Sequence, residues 1–319
     1  MKKKFYQIAL IMVFSLLFTS CSPSDTQPLS PAATTALTLV VEVNASPALM
    51  SGAEHFCTVV SELSEGLIST NIIYSADPAA ELSQNSGQLY FMSNDSARSL
   101  VPALVTLELP YLFPNEKQAN DFLSSKDMLK FFNTNLASDT AHCIGGSVTG
   151  GRYFINQAYN TSPTIVSFHY PYYNTAALVS LKLGTNTFSN WDTPLMDLSF
   201  RSYEMPLWYL AQYSPTMLTV NTLPHSYDIM WILSDKVLDE KLTQAEQNII
   251  AEAAVRTCGF TLQTSLDYDK SYLQQLAPNH IQPPEQDLFL ELKDLDIPYN
   301  PKLSNLNKTL LDYASLYSD

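Results

Sequence analysis

One stretch near the C-terminal end constrains the fold more than any other. Thr243-Gln-Ala-Glu246 has the form of a helix-starting capping box, in which the Thr hydroxyl and the Glu carboxylate satisfy each other's backbone donors. Beyond it Ile249, Ile250, Ala253, Ala254, Cys258, Leu262, Leu266, Leu273 and Leu276 recur at roughly helical steps, and no proline interrupts them before Pro278. This predicts one helix of about 33 residues, on the order of 50 Å long at 1.5 Å per residue. Such a helix exceeds a single small lobe, so the chain must offer it two.

The first half supplies the sheet for it. Leu37 to Val43 is an apolar, β-branched run that reads as a buried strand, and Asn44-Ala-Ser-Pro47 turns the chain. From Ala48 to Leu63 the apolar residues follow a helical period that Gly66 stops. Leu67 to Tyr74 reads as the next strand, and strand–helix–strand is the opening of a mostly parallel α/β sheet. Leu89 to Met92 is a short strand. Asn115 caps a helix over Glu116 to Leu123, and Met128 to Leu136 forms another. Ala141 to Val148 reads as a strand, with the run from Gly150 to Ile155 opening a separate segment. Ile165 to Tyr170 is a further strand, Asn174 to Leu183 a helix, and Asn305 to Tyr317 a last amphipathic helix.

The N-terminus reads as an export signal. Lys2, Lys3 and Lys4 precede the apolar run Ile8–Phe18, which is shorter than the ~20 residues that span a bilayer. Thr19 and Ser20 then lead directly to Cys21, the pattern of a bacterial lipoprotein, with cleavage before an acylated (palmitate-bearing) Cys21. Ser22 to Thr35, rich in Ser, Thr, Pro and Ala, reads as a flexible tether. The chain carries 31 acidic residues against 17 Lys and Arg, a formal charge of −14, and loss of the leader removes three of those lysines. That balance excludes nucleic acid and a polybasic membrane contact, both of which need a basic footprint.

Beyond Cys21 the cysteines are Cys57, Cys143 and Cys258, in apolar surroundings and without metal-ligand spacing. They read as buried free thiols, with one disulfide possible. Gly145-Gly-Ser-Val-Thr-Gly150 approaches a nucleophile elbow but lacks its last glycine in register, and no zinc helix or phosphate loop is present. An exported hydrolase or metalloenzyme therefore has little support, and the sequence points to no catalytic residue or cofactor.

The order of these segments resembles the solute-binding proteins of TRAP transporters, the DctP type, over residues 40–285. Leu109-Pro-Tyr-Leu-Phe113 with Glu116 and Ala119 carries part of the resemblance, and so does Gly151-Arg-Tyr-Phe-Ile-Asn156. Leu181-Lys-Leu-Gly184, Pro194-Leu195 with Glu204 and Pro206, and His225-Ser-Tyr followed by Leu238 to Ala254 carry the rest. The resemblance implies an α/β, two-lobed periplasmic-binding-protein-like fold with a long lobe-spanning helix. Lobe I would comprise residues 37–148 and about 222–255, lobe II residues 149–221 and about 256–285, with residues 1–20 as signal peptide, 21–36 as lipidated tether and 286–319 as a C-terminal extension. It implies a small organic acid captured in the interlobe cleft and passed to membrane permease subunits. The protein would be lipid-anchored through Cys21, on the outer face of the plasma membrane or in the periplasm.

At the family's carboxylate-gripping arginine this chain has His169, in Phe168-His-Tyr-Pro171. A family asparagine aligns with Met205 and a family aspartate with Arg201, so Arg152 alone keeps a cationic site position. The ligand-binding set the resemblance implies is Arg152, His169, Arg201, Glu204, Tyr172 and Met205. Three readings stay open: an acid held by Arg152 with His169 and Arg201, a less charged solute recognised by His169 and tyrosines, or a sensor or orphan lipoprotein that has lost transport. The segment from Asp77 to Gly87 is short enough to have dropped a turn or a helix.

Overall fold

The structure is a computed structural model. It describes residues 35–84, 88–137, 139–157, 165–168, 184–188, 192–197, 202–212, 218–276, 280–282 and 305–317. In chain order the elements are β1 (Thr35–Glu42), α1 (Pro47–Leu63), β2 (Ile68–Ser75), α2 (Pro78–Leu82), β3 (Leu89–Ser93) and α3 (Asn94–Ala97). A 3-10 helix (Pro102–Glu108) leads to α4 (Glu116–Leu123), α5 (Lys126–Asn135) and β4 (Ala141–Gln157). Then come β5 (Ile165–Phe168), β6 (Gly184–Thr187), α6 (Asp192–Met196), β7 (Ser202–Pro206), α7 (Leu207–Leu210) and β8 (Leu218–Asn221). The chain continues through β9 (Ser226–Asp235), α8 (Lys236–Lys241), α9 (Gln244–Gln275), β10 (Ile281–Gln282) and α10 (Asn305–Ser315).

The expected opening unit forms as read: β1 pairs in parallel with β2 and β3, and α1 crosses between. Ser46 caps α1 through the Leu49 N–H, Pro47 occupies its first turn, and Gly66 takes the left-handed conformation beyond its end (φ 80°). In the short segment from Asp77, Asp77 caps the five-residue α2 through the Ala80 N–H.

The strands join in the order β2-β1-β3-β9-β4-β7-β5-β6, with β8 also paired to β4 and β10 to β8. Ala141–Gln157, read from sequence as two segments, is one 17-residue strand with register shifts at Cys143/Gly145 and Val148/Gly150. Its glycines look like turn signals but answer a packing need. A Cβ at Gly146 would lie 2.5 Å from the Trp231 ring, so only glycine admits that buried indole. The first part of β4 runs beside β9 and the last part pairs with β7 and β8, so β4 carries the sheet from one half to the other.

The first half is covered on both faces. One face packs Trp231, Tyr90 and Leu233 against Phe122 of α4, Phe131 and Phe132 of α5, and Leu310 and Ala314 of α10. The other packs Val41, Phe91 and Ile232 against Phe56 and Val60 of α1 and Ala253, Ala254 and Cys258 of α9. The second half gathers Tyr153, Ile155, Tyr203, Met205, Leu218 and Val220 around Tyr272. Residues 305–317 therefore close one face of the first half, with Asn307 Nδ2 donating to Thr106 Oγ1 at 2.7 Å. The helix expected over Asn174–Leu183 lies outside the described residues.

The long helix has 32 residues and both halves of its capping box. Its buried face differs from the one expected. Ile250, Ala253, Ala254 and Cys258 point inward as read, but further along the buried residues are Thr257, Thr261, Ser265, Asp269 and Tyr272. Small and polar side chains there let the helix run close to its neighbours, and the leucines at 262, 266 and 273 flank that face. Cys57, Cys143 and Cys258 are free thiols.

Candidate functional site

In open α/β sheets ligands sit outside the carboxyl ends of the parallel strands. Here those ends carry Glu42, Ser75 and Ser93. Ser93 binds Glu42 twice, its N–H to Oε2 at 2.6 Å and its hydroxyl to Oε1 at 3.0 Å, which locks β3 to β1. Ser93 also caps α3, so the chain after β3 turns at once into Asp95 and Ser96. A recess of about 500 Å³ opens there, lined by Ala76, Asp77, Ala79, Ala80, Asp95, Ser96 and Ser99.

Behind it, reached through Asp95 of its lining, runs a chain of buried charges. Arg98 meets Asp95 at 2.9 Å, and its other terminal nitrogen lies 3.8 Å from Glu108. Glu108, 1 % exposed at the end of the 3-10 helix, accepts Asn94 Nδ2 at 2.7 Å and Arg152 Nη1 at 2.9 Å. Arg152, on β4, donates Nε to Asp228 of β9 at 2.6 Å, and Asp228 also accepts Trp208 Nε1 at 2.9 Å. Behind this line His225 shares a 2.8 Å hydrogen bond with Glu204 and stacks on Phe154 at 3.9 Å between ring centroids.

Burial alone would drain the charge from Arg152, but Glu108 and Asp228 beside it reverse this and hold its pKa well above the ordinary value. Asp95 is pushed up by burial and by the neighbouring Glu108. Four acids (Asp95, Glu108, Asp228 and Glu204) thus face two arginines, and His225 joins them. Groups of this kind, hydrogen-bonded or ion-paired to one another, form a pre-organised polar cluster.

The structure brings together two of the residues singled out from sequence, Arg152 and Glu204. Met205 faces the other way and is fully buried in the core of the second half, opposite Tyr153. His169, Tyr172, Arg201 and Cys21 lie outside the described residues. Sequence reasoning missed Asp95, Arg98, Glu108 and Asp228. A usable signal was present: Glu108 and Asp228 are lone acids inside apolar runs, Leu104–Leu109 and Tyr227–Leu233, where an unpaired charge would be untenable.

A larger cavity, about 650 Å³, lies beneath α9 and is lined by Tyr111, Tyr153, Tyr227 and Asp269 among others. The recess is the better candidate for the main site, because it sits at the strand ends and touches the charged cluster through Asp95.

No family model and no curated protein matches the sequence. Solved structures do match the fold. A TRAP periplasmic solute-binding protein from Desulfovibrio desulfuricans with bound sn-glycerol-3-phosphate is 18% identical with a TM-score of 0.68, covering 89% of this chain and 98% of its own. One from Escherichia fergusonii, in an apo open form, is 12% identical with a TM-score of 0.71, covering 88% and 99%. The sugar acid binding protein of Advenella mimigardefordensis in complex with galactonate is 20% identical with a TM-score of 0.63, covering 90% and 100%. Likeness at this identity extends to architecture: the chain has the two-lobed α/β fold of the TRAP periplasmic solute-binding proteins, long helix included.

Proposed function

We propose that this protein is an extracytoplasmic solute-binding component of a TRAP-type transporter, which captures a small polar solute between its lobes and delivers it to permease subunits. The observation that carries the reading is the likeness over about nine-tenths of the chain to structures that hold sn-glycerol-3-phosphate and galactonate. The charged recess at the ends of β1–β3 supports it. Lobe I is assigned to residues 37–148 with about 222–255, and lobe II to 149–221 with about 256–285. Closure of the lobes over solute would supply the differential contacts that favour the closed state. Binding rather than catalysis is the role proposed.

Cys21 would tether the protein by lipid to the extracytoplasmic face of a membrane. Among the described residues no helix is long and apolar enough to cross one. Metabolic labelling with a palmitate analogue tests the tether: incorporation lost in Cys21→Ser supports it, and a wild type that takes up no label refutes it.

The solute reading is tested by thermal-shift screening of the full-length chain against organic acids, sugar acids, polyols and amines. A hit abolished by Ser99→Trp, which fills the recess, supports it. Failure of every class, or hits indifferent to that substitution, counts against it. A second reading of solute class has its own support. Two nitrogens of Arg152 are engaged by Glu108 and Asp228, and among the described residues the recess lining includes the carboxyl groups of Asp77 and Asp95 and no Lys or Arg. A neutral, hydroxyl-rich or cationic solute fits these residues better than a simple carboxylate. A galactitol response exceeding that of galactonate would favour it, and the reverse order would restore the acid.

A further inference from the structure

The cavity beneath α9 has a chemistry different from the recess. Its volume, about 650 Å³, is that of a small-molecule pocket. The rings of Tyr111, Phe113, Tyr153 and Tyr227 line it, together with the carboxylates of Asp269 and Glu116. Lys270 also lines it, and its exposure puts it at the solvent rim. Asp269 is 6 % exposed. It accepts the Gly151 N–H at 2.8 Å and the Tyr153 hydroxyl at 3.2 Å, and both bonds end on Oδ2. Oδ1 accepts none among the described residues.

A buried carboxylate with one oxygen unfilled, walled by aromatic faces, suits a cation that has little hydration to lose. The carboxylate offers a charge-assisted contact and the rings offer their negative faces. Burial, and then the negative groups Asp269 and Glu116, raise the Tyr153 phenol well above its ordinary pKa. Burial and Glu116 do the same to Tyr227. The two carboxyl groups on the lining, Asp269 and Glu116, are what give the interior its negative character when ionised. The cavity is also distinct from the recess. Tyr153 and Tyr227 line it, while their strand neighbours Arg152 and Asp228, which point to the opposite face, build the charged wall.

We propose that this cavity is a second binding site, for a small organic ammonium ion, seated on Asp269 between Tyr153 and Tyr227. The proposal is independent of which solute the recess takes.

Choline and its neutral isostere 3,3-dimethylbutan-1-ol are the probes, titrated calorimetrically into the full-length chain at pH 8. Choline binds and the alcohol does not at ten times the concentration. Asp269→Asn weakens choline by about tenfold or more. Lys270→Met, which removes the rim cation, tightens it about threefold. Ser99→Trp, in the recess, changes nothing. Asp269 is pushed up to about 7 by burial, and Glu116, Lys270, Tyr111, Tyr153 and Tyr227 are the other ionisable groups on the cavity. Choline affinity accordingly rises between pH 6 and pH 8. Should Asp269→Asn fail to fold, Leu273→Trp, which fills the cavity from α9, replaces it with the same expected loss. The proposal is overturned if choline does not bind at millimolar concentration, if the alcohol binds as well, if neither cavity variant weakens binding, or if Ser99→Trp abolishes it.

Discussion

Asp269 of the long helix accepts the backbone N–H of Gly151, at 2.8 Å, just where strand β4 passes from one half of the sheet to the other. The contact needs a glycine. A Cβ at position 151 would lie 2.8 Å from Pro224 Cβ and 3.1 Å from the accepting oxygen. Helix and crossing strand are thus joined here by a buried carboxylate as well as by the apolar packing of Tyr272 with Tyr153 and Ile155, and this one contact depends on the state of a proton.

That dependence gives the first prediction. Burial pushes the Asp269 carboxyl up to about 7, against the lowering influence of the Gly151 and Tyr153 hydrogen bonds. Its folded pKa therefore lies above its unfolded value, and the native state holds the proton more tightly. The associated stability is complete below about pH 4 and is lost as pH rises through about 7. Ionisation of a carboxyl shifted this far costs on the order of 2–4 kcal/mol. Asn can keep both hydrogen bonds without the charge. Urea unfolding is expected to find Asp269→Asn about 1–3 kcal/mol more stable than wild type at pH 8, with the gap closing by pH 5. A variant less stable than wild type at pH 8 contradicts the assignment.

Much of the fold was legible because it rests on local rules. The Thr243–Glu246 capping box, the Asn115 cap and the Gly66 stop each follow from side-chain chemistry within a few residues, and all three stand where they were read. What escaped the sequence depends on distant partners. The continuity of β4 through Gly145, Gly146, Gly150 and Gly151 is set by Trp231, Cys258 and Pro224, which reach it from far along the chain. The buried polar face of α9 was hidden because Thr257, Thr261 and Ser265 break the apolar period that marks a core face. At the site the same logic holds. Arg152 was visible through the resemblance, but its partners Glu108 and Asp228 are 44 and 76 residues away and share no motif with it.

Gly52 and Thr261 make a second test. A Cβ at Gly52 would stand 2.5 Å from Thr261 Oγ1, and the next nearest atoms, on Met230, are at 3.7 Å. Helix propensity favours Ala over Gly by about 1 kcal/mol, whereas a forced contact between packed helices costs about 1–3 kcal/mol. Gly52→Ala alone is expected to be neutral to about 2 kcal/mol destabilising. Thr261→Ala removes the clashing oxygen, and in that background Gly52→Ala should stabilise by up to about 1 kcal/mol. A double-mutant cycle by chemical denaturation reads the sign change, and simple additivity would show that Thr261 does not set the helix spacing.

The cysteines should divide by environment. Burial pushes the Cys258 thiol up to about 12 and the Cys143 thiol higher. Cys57 is only half-buried, and burial raises it more modestly. Thiolate is the reactive form. An aromatic disulfide reagent at pH 8 should label Cys57 first and leave Cys143 and Cys258 untouched until the chain is unfolded, when both react. Fast native labelling of Cys258 would mean that α9 opens from the sheet.

Arg152 carries the strongest mutational expectation, and it bears on how the site must be probed. Its guanidinium is 4 % exposed and lies between Glu108 at 2.9 Å and Asp228 at 2.6 Å. Removing it leaves two carboxylates without their shared cation, one fully buried and one nearly so, and breaking a buried pair in this way costs about 3–5 kcal/mol. Arg152→Ala is expected to lose that much in urea unfolding. Arg152→Lys should recover only part of it, because an ammonium cannot reproduce the guanidinium's fixed donor geometry. The triple variant Arg152→Met, Glu108→Gln, Asp228→Asn removes the charges together and should recover most of the loss. If Arg152→Ala costs under about 1 kcal/mol, the wall is solvated and its charges are screened. If it costs the expected amount, loss of solute binding in that variant reports collapse of the wall as much as loss of a contact. Substitutions at the recess lining, such as Ser99→Trp, then separate the two.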